Sequence, residues 1–271
     1  MRILYSFSQK GDREVNEDVC GFTNNCAWVV DGATDVFKLQ TFREKYEVNW
    51  YVNELHKKLK NNFCIDKVDI HWIIKQSVKA LYDELVSEYS FSSKPVYKLP
   101  TFAIAAVRIN EDNTMNYYIL GDCSIVYAHN HRICSLKDRR LNKFSQINRQ
   151  KIKDYQKAHG ISFPPNHLFQ EIRGKANSPD GYPIGSIDGT GLDKGLTGTI
   201  ELFPDDKVLI YSDGFEDYFN SNPDIENRFL REDLLPNEIE KMYDYLKDLN
   251  EFLTNPRPRR IDDASLILLS V

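Results

Sequence analysis

Short apolar runs that stop at acidic residues, turns or glycines recur along this chain, and segments of that length are most simply buried as strands. They cover residues 3–7, 19–22, 26–30, 101–109, 115–120, 124–128, 132–136, 207–211 and 264–269. The connections Asn24-Asn25, Asn110-Glu111-Asp112-Asn113 and His129-Asn130-His131 are too short for crossovers, so the pairing should be mainly antiparallel. Two helices interrupt the strands over about 44–88. Val48, Tyr51, Val52, Leu55 and Leu59 recur at helical spacing, as do Ile70, Ile73, Ile74, Leu81 and Leu85 after Asp66 as the expected N-cap. A further helix is expected over about 237–252. Residues 138–157 are basic and polar with helical spacing, and 161–198 read as irregular. Seven of the 13 Gly lie between Gly174 and Gly198, which marks a long surface segment. No repeat and no linker-like shift divides the chain, so 1–271 is expected to be one α+β domain with antiparallel sheets covered by helices.

Charge and cysteine usage narrow the function classes. Thirty-five Lys plus Arg against 40 Asp plus Glu leave a net charge of −5, which argues against broad nucleic-acid or anionic-membrane binding. No apolar run reaches the roughly 18 residues of a membrane span, and the N-terminus becomes charged by Lys10, too early for a secretory signal; a cytoplasmic protein is expected. Cys20, Cys26, Cys64, Cys123 and Cys134 form no Cys-x-x-Cys pair and read as reduced thiols.

The chemistry is expected where apolar strands meet carboxylates. Val29-Val30 runs into Asp31-Gly32, Leu120-Gly121 into Asp122, and Tyr211-Ser212 into Asp213-Gly214; Glu17-Asp18 and Asp262-Asp263 directly precede strands. A carboxylate at a strand end has a rigid base and access to solvent, as a hard-cation site requires. Gly32 is expected to let the backbone turn away and bring its carbonyl near a metal. Any one Asp-Gly is an ordinary turn, but several strand ends brought together would make an oxygen-only cage suited to magnesium or manganese rather than zinc. Two such ions roughly 3.5–4 Å apart bring the pKa of a bridging water toward neutrality and stabilise displacement at phosphorus. Arg13 is the candidate phosphate-binding cation, because guanidinium matches phosphate oxygens bidentately.

Five ordered segments resemble the metal-dependent Ser/Thr protein phosphatases of the protein phosphatase 2C type. They are Arg13-Glu14-Val15-Asn16-Glu17-Asp18, Val29-Val30-Asp31-Gly32, Leu120-Gly121-Asp122-Cys123, Tyr211-Ser212-Asp213-Gly214-Phe215-Glu216-Asp217 and Asp262-Asp263-Ala264-Ser265, and they span nearly the whole chain. The resemblance implies two central antiparallel β-sheets sandwiched between helices in four layers, αββα, with a flap over about 138–181. It implies a centre of two Mn2+ or Mg2+ ions bridged by Asp31, with the Gly32 carbonyl, Asp213 and Asp262 as ligands and Glu17 and Asp18 beside them. Asp122, Asp213 and Asp217 would form a weaker third site, and Arg13 would clamp the phosphate. The implied activity is hydrolysis of phosphoserine and phosphothreonine by metal-activated water, on a phosphorylated protein partner, by a monomer that binds neither nucleic acid nor membrane. The rival readings are a phosphatase of another phosphate monoester and a noncatalytic phosphatase-like binding protein.

The chain departs from the family pattern at Ala33, where many members have a His proposed as the acid for the leaving alcohol, and at Thr34-Asp35-Val36-Phe37-Lys38, where a Gly-rich stretch is common. Asp263 stands where many members have Asn, so Asp262 is taken as the ligand and Asp263 as its neighbour. Three other patterns are set aside. Cys123, His129, His131 and Cys134 lack zinc-site spacing, and Gly189-Thr190-Gly191 has no strand before it. Trp28, Trp72 and Tyr117-Tyr118 read as core. Arg257, Arg259 and Arg260 are expected on an exposed loop that attracts acidic phosphosubstrates.

Overall fold

The computed structural model describes residues 1–33, 35–38, 40–65, 68–91, 93–129, 132–161, 165–216, 219, 225–231, 241, 244 and 261–271. Strands β1 (Arg2–Gln9), β2 (Asp18–Phe22) and β3 (Cys26–Ala33) come first, then helices α1 (Glu47–Asn62) and α2 (Ile70–Glu88). Four strands follow: β4 (Thr101–Ile109), β5 (Thr114–Leu120), β6 (Ser124–His129) and β7 (Arg132–Lys137). Helices α3 (Arg139–His159) and α4 (Asn166–Arg173) precede β8 (Gly185–Ser186), β9 (Leu196–Glu201) and β10 (Lys207–Tyr211), and helix α5 (Ile225–Arg231) precedes β11 (Ala264–Ser270).

Strand alternation sorts the apolar residues into layers. One sheet has the order β1-β11-β10-β6-β7 and the other β2-β3-β4-β5-β9, with β8 on β4, and every strand pair is antiparallel. On β3, Trp28 and Val30 pack under α1 and α2 with Leu55, Leu59, Ile73 and Ile74, while Ala27 and Val29 face the other sheet. On β11, Ile267 and Leu269 fill the space between the sheets, and Leu266 and Leu268 pack outward with Phe229 and Leu230 of α5. The result is the expected four layers, helix, sheet, sheet, helix. Alanines 27, 103 and 105 between the sheets keep that layer thin.

Several expectations are corrected. The segment 161–198 is not irregular throughout: α4 lies within it, and β9, starting at Leu196, extends β5 from Ile119↔Leu196 to Thr114↔Glu201. Its residues alternate poorly in polarity because five of the six are exposed, as an edge strand permits. The cap of α2 is Asp69, whose carboxylate accepts from Trp72 N at 2.9 Å; Asp66 lies outside the described residues. Trp72 is 48% exposed on the outer face of α2, whereas Trp28 and Tyr118 are fully buried. All five cysteines are free thiols, and Cys123 sits in the core between the sheets. Of the helix expected over 237–252 only Lys241 and Asp244 are described, both helical, while His131 and the arginines 257, 259 and 260 lie outside the described residues. Among the described residues no helix is long and apolar enough to cross a membrane.

Candidate active site

Antiparallel alternation brings the C-terminal ends of β3, β5 and β10 and the N-terminal ends of β2, β4 and β11 to one edge of the sheets. The acidic residues sit at those ends. Asp31, Asp122, Asp213 and Asp262 line one pocket of about 200 Å3, together with Arg13, Gly32 and Ala33. Glu17 and Asp18 lie behind this wall. Asp217 is outside the described residues.

Asp31 is not at a strand terminus as expected: β3 continues through Gly32 to Ala33, and Asp31 pairs across to Asp18 on one side and Ala103 on the other. Gly32 does not turn the backbone. A side chain there would meet the Glu17 carbonyl at 2.5 Å and Val48 Cγ1 at 2.6 Å, so glycine lets the segment before β2 and helix α1 close on β3. After β5 the chain does turn, at Gly121 with φ of +88°, which delivers Asp122 to the pocket. Asp213 follows Ser212, which is held by Ser212 N donating to Ser265 O at 3.0 Å and Ser265 N donating to Ser212 Oγ at 2.9 Å. The Ser212 hydroxyl in turn donates to Asp18 Oδ2 at 2.5 Å.

The two aspartates before β11 differ. Asp263 is buried, and its oxygens accept from Gly11 N and Glu17 N, each at 2.7 Å, tying the segment after β1 to the start of β11. Asp262 is half exposed and meets Arg13 Nη2 at 3.2 Å, while Arg13 Nη1 pairs with Glu17. Arg13 is therefore held in the pocket wall by two carboxylates.

So many acids in one place are electrostatically frustrated. Burial, then repulsion from Asp18, Asp213 and Asp122, raises Asp31 well above the carboxylate range. Burial and the charges of Asp122, Asp262 and Asp18 do the same to Asp213. Burial pushes Asp18 to about 8 against the hydrogen bond from Ser212, and pushes Asp122 and Glu17 to about 6. The donor set is all oxygen, without sulfur or imidazole in the lining, and its mutual repulsion is what a hard divalent cation relieves. The residues thus fit magnesium or manganese. Among the described residues, no three His, Cys, Asp or Glu side chains stand as a ready-made metal cluster.

The sequence reading missed Arg173. It ends α4, lines the same pocket beside Ala33, and donates through Nη1 to Thr101 Oγ1, the residue paired with Ala33 across β3 and β4. No sequence signal marks it, because the eight residues of its helix, between Pro165 and Gly174, are too short a run to stand out from the segment around them. Ser212 and Asp263 lie within two of the five ordered segments, but their supporting roles depend on contacts across the sheets.

No family model matches the sequence, and no curated protein matches it. Solved structures do. A serine/threonine phosphatase of S. agalactiae is 16% identical with a TM-score of 0.61, covering 98% of each chain. Stp1, a serine/threonine phosphatase from Staphylococcus aureus, is 17% identical with a TM-score of 0.56, covering 98% of this chain and 94% of its own. The catalytic domain of the serine/threonine protein phosphatase PstP, solved with 2 manganese ions, is 14% identical with a TM-score of 0.55, covering 97% and 95%. With two antiparallel sheets between helices and near-complete coverage in each comparison, this chain has the fold of the Ser/Thr protein phosphatases.

Proposed function

We propose that this chain is a metal-dependent phosphoprotein phosphatase that hydrolyses phosphoserine and phosphothreonine, acting as a monomer in the cytoplasm. The observation that carries the reading is the convergence of Asp31, Asp122, Asp213, Asp262 and Arg13 on one pocket of this fold. Asp31, the Gly32 carbonyl, Asp213 and Asp262 would hold two Mn2+ or Mg2+ ions, with Glu17 and Asp18 beside them and Asp122 and Asp217 toward a weaker third position. When bound, the ions supply an acidified water as nucleophile and Lewis acidity toward the phosphoryl oxygens.

The chain's own residues orient the ester. A phosphate entering the pocket displaces the Asp262 carboxylate from Arg13 and takes up its N–H groups in a charge-assisted pair. Arg173 presents a second guanidinium beside Ala33. Guanidinium keeps its protons at ordinary pH, so Arg173 stabilises charge on the leaving oxygen by hydrogen bonding, and water delivers the proton. The small Ala33 side chain leaves room for that approach.

The test is phosphate release from p-nitrophenyl phosphate and from phosphoserine and phosphothreonine peptides, with manganese, magnesium or EDTA. Turnover should require the metal, and Asp213→Ala should lower it by about two orders of magnitude or more. Activity indifferent to both chelation and the substitution would sink the mechanism. Metal uptake by calorimetry without turnover on any ester would instead make the chain a binding protein, the reading that Ala33 favours.

A further inference from the structure

Helix α3 carries an unusual surface. Its 21 residues contain seven Lys and Arg against one acid, Asp154, in a chain whose net charge is −5. At 3.6 residues per turn, Arg139, Lys143, Arg149, Lys153 and Lys157 fall on one stripe, and all five are exposed. The opposite face is anchored: the Phe144 ring lies 4.8 Å from that of Tyr182, and Phe144, Asn148 and Ile152 line a cavity of about 300 Å3 with Leu168 and Ile172 of α4. The stripe therefore faces solvent.

Local energetics do not explain it. Surface helices normally offset their charges with partners three or four residues away, whereas Arg139 and Lys143, Arg149 and Lys153, and Lys153 and Lys157 are like-charged neighbours at that spacing. Among the described residues, Arg140 alone of the seven cations makes an ion pair, with Asp138. The stripe is thus a concentration of positive charge that the fold does not use internally.

Its placement says what it is for. Asp138 caps the helix, accepting from Arg140 N at 3.0 Å, and Arg140 Nη2 donates to Lys194 O at 2.6 Å, so the first turn is fixed. Leu141, in that same turn, lines the acidic pocket. From Arg139 the stripe then runs about 27 Å to Lys157, the reach of roughly eight residues of extended chain. A segment whose phosphorylated residue occupies the pocket can continue along it.

We propose that the cationic stripe of α3 docks the acidic flank of the phosphorylated protein segment, so that the preferred substrates carry Asp or Glu within about ten residues of the phosphoresidue. This rests on the phosphatase reading of the pocket. A polynucleotide is a poorer occupant, because the carboxylates at the near end of the stripe repel a continuous polyanion.

The experiment compares two phosphoserine peptides that differ only in Glu against Gln in the flank, for wild type and for Lys143→Gln/Arg149→Gln/Lys153→Gln, at low and high salt. Both kcat/KM and the anisotropy of fluorescein-labelled peptides are read. Wild type should prefer the acidic peptide by about tenfold at low salt, through several weak exposed pairs, and the preference should collapse in the triple variant and in high salt. Equal treatment of the two peptides by wild type, or an undiminished preference in the variant, overturns the proposal. So does variant-sensitive binding of duplex DNA or phosphatidylserine vesicles with no discrimination between the peptides. If neither the peptides nor p-nitrophenyl phosphate is hydrolysed, the phosphatase reading fails, and the anisotropy ratio still decides whether α3 docks an acidic segment.

Discussion

At Asp262 and Asp263 identical side chains on consecutive residues meet different surroundings. Asp263 holds two backbone N–H groups from distant segments, while Asp262 reaches into the pocket toward Arg13. Replacing Asp263 by Ala leaves Gly11 N and Glu17 N without their acceptor and should cost about 3 kcal/mol, read as a lower urea midpoint. Asp262→Ala should leave the unfolding free energy within about 0.5 kcal/mol of wild type and instead depress metal-dependent turnover. The reverse pattern would exchange the two roles and remove Asp262 from the proposed ligand set. Adjacent carboxylates are indistinguishable by residue type. The sequence reading separated them only by resemblance, and the hydrogen bonds to Asp263 come from residues more than 240 positions away.

At the scale of elements, the approach of α1 and the segment before β2 to β3 depends on Gly32. Gly32→Ala puts a methyl group against the Glu17 carbonyl and Val48, and should destabilise by about 1–3 kcal/mol while shifting Asp31. Thermal unfolding together with kcat measures both effects; an unchanged Tm with full activity would show that the layers have slack at this position. The same elements show what periodicity can and cannot reveal. The strands that fill the layer between the sheets were legible as apolar runs, and α1 and α2 as helical spacing, because one buried face imposes a pattern. Helix α4 places Leu168, Phe169 and Ile172 on one side but runs for only eight residues, and β9 is an exposed edge strand, so neither gives a pattern long enough to read. Arg173 was lost with α4, and the cap of α2 was misplaced by three residues for want of a tertiary frame.

For the whole molecule, the acidic pocket makes stability depend on pH and metal. Asp18, Asp31, Asp122 and Asp213 all have raised pKa values in the folded chain, with Asp18 at about 8 and Asp122 at about 6, against roughly 3.9 for an unfolded Asp. The metal-free native state therefore binds more protons than the unfolded chain, and its stability falls as pH rises from about 4 through the folded values. His56 works the other way, its pKa lowered by burial, but its contribution is complete above about 6.5. Between about pH 6.5 and 8.5 the Tm of EDTA-treated protein should drop, and saturating manganese should raise it by more at the upper end, since cations replace the protons. Differential scanning calorimetry checks both. A flat metal-free Tm would mean the carboxylates ionise freely and leave nothing for a cation to relieve.

The amino-acid sequence by itself determined nine of the eleven strands among the described residues, that their pairing is antiparallel, and that carboxylates stand near strand boundaries, since burial periodicity and turn chemistry act over a few residues. Tertiary structure alone decided that Asp31, Asp122, Asp213 and Asp262 share one pocket, that Arg173 joins them, and that the charges of α3 begin at its rim. Those facts depend on how two sheets stack and on which helix covers each end, and Coulomb interactions follow distance in space, which sequence separation does not encode.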